Sequence, residues 1–117
     1  MTISETIRQR LKDAGVNFRA NDNISEHINP EELNELQKEV QEKMQGVLES
    51  LVIDTTNDHN TQDTAKRVAK MWIKETFGGR YIPAPKITSF PNVGYKSLYT
   101  SGPISIRSTC AHHFQNI

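Results

Sequence analysis

A single cysteine among 117 residues leaves no partner for an internal disulfide, so this chain must be held by packing and hydrogen bonding alone. That usage fits a reducing compartment, and a cytoplasmic location is expected. Long apolar runs are missing as well: no stretch approaches the roughly 18 residues of a membrane-crossing helix. The opening "MTISETIRQRLK" is amphipathic, with no apolar segment behind a positive start, so a secretory signal is not expected. Aromatic residues make up only 7%, and no helix-turn-helix or RNA-binding pattern occurs, so a nucleic-acid partner is not expected either. With a net charge of zero and a mean hydropathy of −0.63, the composition describes one soluble, rather polar domain with a modest core.

The zero net charge conceals an uneven distribution. Residues 1–60 hold 12 acidic and 6 basic side chains, whereas residues 61–117 hold 2 and 8. A basic half can attract a polyanion such as a nucleoside triphosphate. Equally, the two halves can complement one another within or between subunits.

Helical signals fill the first two thirds. Thr2 with Glu5 three residues later reads as a capping box, followed by Ile3, Ile7 and Leu11 on one face. Gly15 and an Asn-rich connector interrupt the pattern. Asn29 then caps a second helix, with Pro30 at its first position and Glu31 and Glu32 beside its positive end. Leu33, Leu36, Val40, Met44, Val47, Leu48 and Leu51 give that helix one apolar stripe, suited to core packing or to a seam between subunits. "DTTNDHNTQD" (54–63) is a polar loop in which His59 reads as solvated. A third helix is expected from Asp63 as cap to Phe77, stopped by Gly78 and Gly79. Arg67, Lys70 and Lys74 share one side of it as a basic stripe.

Beyond the glycines, "RYIPAPKITSFPNVGY" carries three prolines within nine residues, which rules out helix. "SLYT" and "ISIRST" then look like short strands around a Gly102-Pro103 turn. Helices followed by strands imply an α+β domain. In the final "IRSTCAHHFQNI", Cys110 and His113 can face one ion, since thiolate and imidazole are both good zinc donors, but two donors fall short of the three that a catalytic zinc site requires. The same spacing also suits a buried cysteine beside two polar histidines. His112, with an imidazole that titrates near neutrality, is a candidate for proton transfer.

Three blocks in order, "TQDTAKRVAKMWIKETFGGRY", "PKITSFPN" and "GPISIRSTCAHHF", resemble the N-terminal half of the GTP cyclohydrolase I family over about residues 50 to 117. The resemblance implies a fold of the tunnelling (T-fold) type: residues 1–52 as a helical N-terminal region, and residues 53–117 as the incomplete first part of a catalytic domain that starts an antiparallel sheet. It implies a hydrolase that opens the imidazole ring of GTP, releases formate and yields 7,8-dihydroneopterin triphosphate, at the head of folate and pterin biosynthesis. By the same resemblance Cys110 and His113 are zinc ligands and His112 is catalytic. Arg67 and Lys70 contact the triphosphate, and the subunits assemble as a homo-oligomer, a decamer in the family. The zinc ion there activates water for attack on the purine ring.

The departures are specific. Ala111 stands where the family pattern has Glu, Ala65 stands in place of Pro, and Gln115-Asn116-Ile117 replaces a Val-Pro-hydrophobic run. The family's third zinc ligand, a second cysteine, and its guanine-holding Glu have no counterpart in these residues. Two expectations follow. In one, this is a truncated cyclohydrolase sequence, inactive alone. In the other, it is a short non-catalytic paralogue serving as a metal-binding or helical assembly module.

Overall fold

The computed structural model describes residues 1–117 and separates into two compact units, Met1–Pro83 and Ala84–Ile117. The first unit is helical: α1 (Ile3–Asp13), α2 (Pro30–Ser50), α3 (Thr64–Met71) and the short α4 (Gly78–Tyr81), with a 3₁₀ turn at Ser25–His27.

Both expected capping boxes form. Thr2 Oγ1 accepts from the Glu5 N–H while the Glu5 carboxylate accepts from the Thr2 N–H, so two helix-end donors are satisfied reciprocally. Asn29 and Glu32 repeat the arrangement at α2, with Pro30 at its first position. Glu32 has a second task. Arg10 of α1 donates to both of its carboxylate oxygens, at 2.9 and 2.7 Å, and the same guanidinium reaches the His27 carbonyl. The hydrogen bonds from Arg10 hold the Glu32 carboxyl below its ordinary value; burial opposes them, and the Asn29 N–H adds to them.

α1 presents Ile7 and Leu11 to Ile24, and these three buried side chains form a small core lined by Ile3, Val16, Ile28 and Tyr81. α2 packs on α3, where Ala65 and Ala69 are buried with Leu48 and Ile73. Two alanines on the α3 face leave room for close approach of the helices. The apolar stripe of α2 is only partly used, because Val47 and Leu51 remain exposed.

The third helix departs from expectation at both ends. Asp63 occupies the cap position, but its side chain makes no capping hydrogen bond. Gly78 and Gly79 do not stop the helix but open α4. Between α3 and α4 the chain widens into a π-helical turn, Trp72–Thr76, closed by the Phe77 N–H donating to the Trp72 carbonyl at 2.8 Å. That turn sets the Trp72 and Phe77 rings edge to face at 6.3 Å. It also delivers Arg80 to the connector after α1. There the guanidinium donates to the carbonyls of Phe18, Arg19, Ala20 and Asp22. Asn23 answers with two bonds to the carbonyls of Gly79 and Ile82, at 2.9 and 2.7 Å.

The expected α+β fold with the start of a T-fold sheet is overturned. No strand or sheet forms, and the sole β feature is an isolated antiparallel bridge between Thr109 and Asn116. The strand-like residues Leu98, Tyr99, Ile104 and Ile106 are exposed. The physical reason is pairing: a strand is stabilised by its neighbours, and one or two short strands are marginal in water. Prolines at 83, 85, 91 and 103 also remove donors that a ladder would need. The second unit holds local turns instead, such as the one where Asn92 bonds both ways with the Tyr95 backbone around Gly94, at φ +78°. No helix is long and apolar enough to cross a membrane.

Two outcomes are expected from this packing. α2 ends with the Ile53 N–H reaching back to the Leu48 carbonyl, which forces Val52 to φ +62°, a left-handed conformation costly for a β-branched residue. Val52→Gly should raise stability by about 1 kcal/mol, read as a higher urea midpoint at unchanged slope. The second concerns pH. Because the folded-state Glu32 value is lowered, its contribution is present above the ordinary glutamate value of 4.5 and is lost as pH falls through the folded value. Glutamine keeps the capping box, so the melting-temperature gap between the native chain and Glu32→Gln should be widest at neutral pH and close in acid.

Candidate functional site

The candidate residues fall in both units, Arg67 and Lys70 in the first and Cys110, His112 and His113 in the second. On α3, Arg67 and Lys70 are three residues apart and exposed, as the helical spacing requires. Arg67 is partly ordered: its guanidinium donates to the Asn60 carbonyl at 2.9 Å and to Thr64 Oγ1 at 3.3 Å. Lys70 extends free of hydrogen bonds and ion pairs. The loop before α3 is built by its own side chains. Asp54 accepts from the N–H groups of Thr56 and Asn57, and Asp58 accepts from Asn60 and Thr61. This fixes Asn60 and thereby the carbonyl that steadies Arg67. Sequence reading singled out Arg67 but missed Asn60, whose contribution is through its backbone. His59 is exposed in this loop, with no hydrogen bond of its own.

In the second unit, residues 108–117 fold back on themselves. The Ile117 N–H donates to the Ser108 carbonyl, the Cys110 N–H to the Gln115 carbonyl and the Phe114 N–H to the Cys110 carbonyl, at 2.8–2.9 Å. Phe114 takes φ +56° to complete the reversal. Cys110, His112 and His113 are therefore carried by a turn rather than a strand. Cys110 is half-buried and both histidines are exposed. The contact that forms is Cys110 Sγ to His112 Nδ1, at 3.2 Å. Cys110 and His113, expected as two ligands of one ion, make no hydrogen bond with each other.

Soft thiolate and imidazole donors suit zinc. Their number does not: nowhere do three His, Cys, Asp or Glu side chains converge on a position that could hold a metal ion. These residues are not, by themselves, a complete zinc site.

Comparison with known proteins finds relatives named GTP cyclohydrolase 1. The chain is 38% identical over 81 residues to GTP cyclohydrolase 1 of Actinobacillus pleuropneumoniae serotype 5b and of Haemophilus ducreyi, covering 68% of this chain and 37% of each relative. It is 39% identical over 80 residues to GTP cyclohydrolase 1 of Yersinia enterocolitica, covering 67% of this chain and 36% of that protein. The chain is related to the GTP cyclohydrolase I family. It spans a little over a third of the length of these curated relatives. No family model and no solved structure matches it.

The donor count can be checked with cobalt(II), which takes zinc's ligands. Titration of the 117-residue chain should give no intense visible bands of a tetrahedral thiolate site. Strong bands at one equivalent, lost in Cys110→Ser, would mean that these residues close a site after all.

Proposed function

We propose that this chain carries part of the machinery of a GTP cyclohydrolase I, with residues 53–117 as the first part of its catalytic domain. The assembled enzyme adds water across the imidazole ring of GTP, releases formate and forms 7,8-dihydroneopterin triphosphate, feeding folate and pterin synthesis. Support comes from identity of 38–39% to enzymes named GTP cyclohydrolase 1, over a stretch longer than any single motif.

Within that reading, Arg67 and Lys70 bind the triphosphate. A guanidinium makes charge-assisted bonds to phosphate oxygens, and Arg67 is already held by Asn60 and Thr64, so less freedom is lost on binding. Cys110 and His113 contribute two donors of a zinc set completed by other residues of the homo-oligomeric enzyme. His112 moves a proton at the purine ring. With Nδ1 engaged by the Cys110 sulfur, Nε2 is the nitrogen left for that transfer.

A chimera tests the reading. Residues 60–113 of this chain are placed in the Haemophilus ducreyi enzyme, and formate release from GTP is measured. The chimera should turn over, and Arg67→Ala within it should raise the KM for GTP about tenfold, the loss of one charge-assisted contact. An inactive, folded chimera that Ala111→Glu restores would favour the alternative, a non-catalytic paralogue that binds metal or assembles through its helices.

A further inference from the structure

The loop leading into α3 carries a carboxylate where binding of an anion gives no reason for one. Asp58 is half-buried, while Asn57, His59 and Asn60 around it are exposed. It joins neither of the two ion pairs of the chain, Arg10 with Glu32 and Arg19 with Asp22. It bonds to its own loop instead. One carboxylate oxygen accepts from the Asn60 N–H at 3.0 Å and the other from the Thr61 hydroxyl at 3.1 Å. The Asp58 carbonyl accepts in addition from the N–H groups of Thr61 and Gln62.

These bonds fix the Asn60 carbonyl, which accepts from the Thr64 hydroxyl at 3.3 Å and from Arg67 Nη2 at 2.9 Å. Nη2 donates to Thr64 Oγ1 as well. Both tethers fall on one nitrogen, so Nη1 and Nε keep their donors for a ligand. Both acceptors are neutral, so the guanidinium charge stays uncompensated. We propose that Asp58 is a positioning residue of the triphosphate site: acting through Asn60, it holds Arg67 in place for a phosphate group without neutralising it. The inference rests on the reading of Arg67 as a triphosphate contact. Charge alone predicts the opposite behaviour, since a carboxylate in this loop repels a polyanion and its removal would strengthen binding. The sign of one substitution separates the two.

Inorganic tripolyphosphate is the probe. It is titrated into the ¹⁵N-labelled 117-residue chain at constant ionic strength, and the amides of α3 report binding. Arg67→Ala should weaken binding about tenfold, the loss of one charge-assisted contact. Asp58→Ala should weaken it about threefold, the effect of leaving one long side chain to be ordered on binding. Asp58→Asn keeps an acceptor for the Asn60 N–H and loses the charge, so it should bind at least as tightly as the native chain. In the Arg67→Ala background, Asp58→Ala should weaken binding no further. If Asp58→Ala unfolds the chain, Asp58→Glu, whose longer arm misplaces the acceptor at unchanged charge, is read by the same criteria. Binding by Asp58→Ala as tight as native or tighter, or an equal loss with and without Arg67, would overturn the assignment while leaving Arg67 as a phosphate contact. Native affinity in Arg67→Ala would overturn both.

Discussion

The first unit is closed by Arg80, whose guanidinium gathers the carbonyls of a connector that has no regular partner of its own. Those carbonyls lie about sixty residues away in the chain. A planar fork of five donors is the one side chain able to serve several of them at once. Asn23 and the Ile24 N–H bind the chain around Arg80 in return, so both sides of the junction are donor and acceptor. The Ile7, Leu11 and Ile24 core lies next to this junction, since Ile24 is held through its own N–H to the Arg80 carbonyl.

That junction depends in turn on the π-helical turn. One extra residue in the turn rotates everything after Thr76 by most of a helical step relative to α3. α3 can therefore keep Ala65 and Ala69 against α2 while α4 aims Arg80 in a different direction. The basic stripe read from the sequence treats Lys74 as continuous with Arg67 and Lys70. Lys74 lies within the wider turn, so the stripe's helical phase holds only for the first two.

What could be read in advance was local. Thr2 with Glu5, and Asn29 with Pro30 and Glu32, place both helix starts because capping is a matter of three or four neighbouring residues. The Gly78-Gly79 pair misled because glycine permits a helix stop without requiring one, and the bonds that hold α4 come from Asn23, far away in sequence. Arg80 gave no signal for the same reason. The sheet failed for a different one: β-branched spacing at residues 104–109 reports suitability for a strand, whereas a strand exists only with neighbours to bond to. At the candidate site the residue types were legible, but the thiol's partner was not. A strand reading sets Cys110 and His112 on one face and His113 on the other, but it does not join the first two, whereas the turn that forms brings His112 Nδ1 onto the sulfur.

The turn carrying Cys110 has one more implication. Every bond that shapes it connects residues within ten positions of one another. Closing so short a loop costs little chain entropy and needs no distant element to be in place first. His112 and the thiol thus meet in a geometry that is set by the turn's own bonds. The pairing of sulfur and imidazole therefore depends on residues 108–117 alone and not on the helices of the first unit.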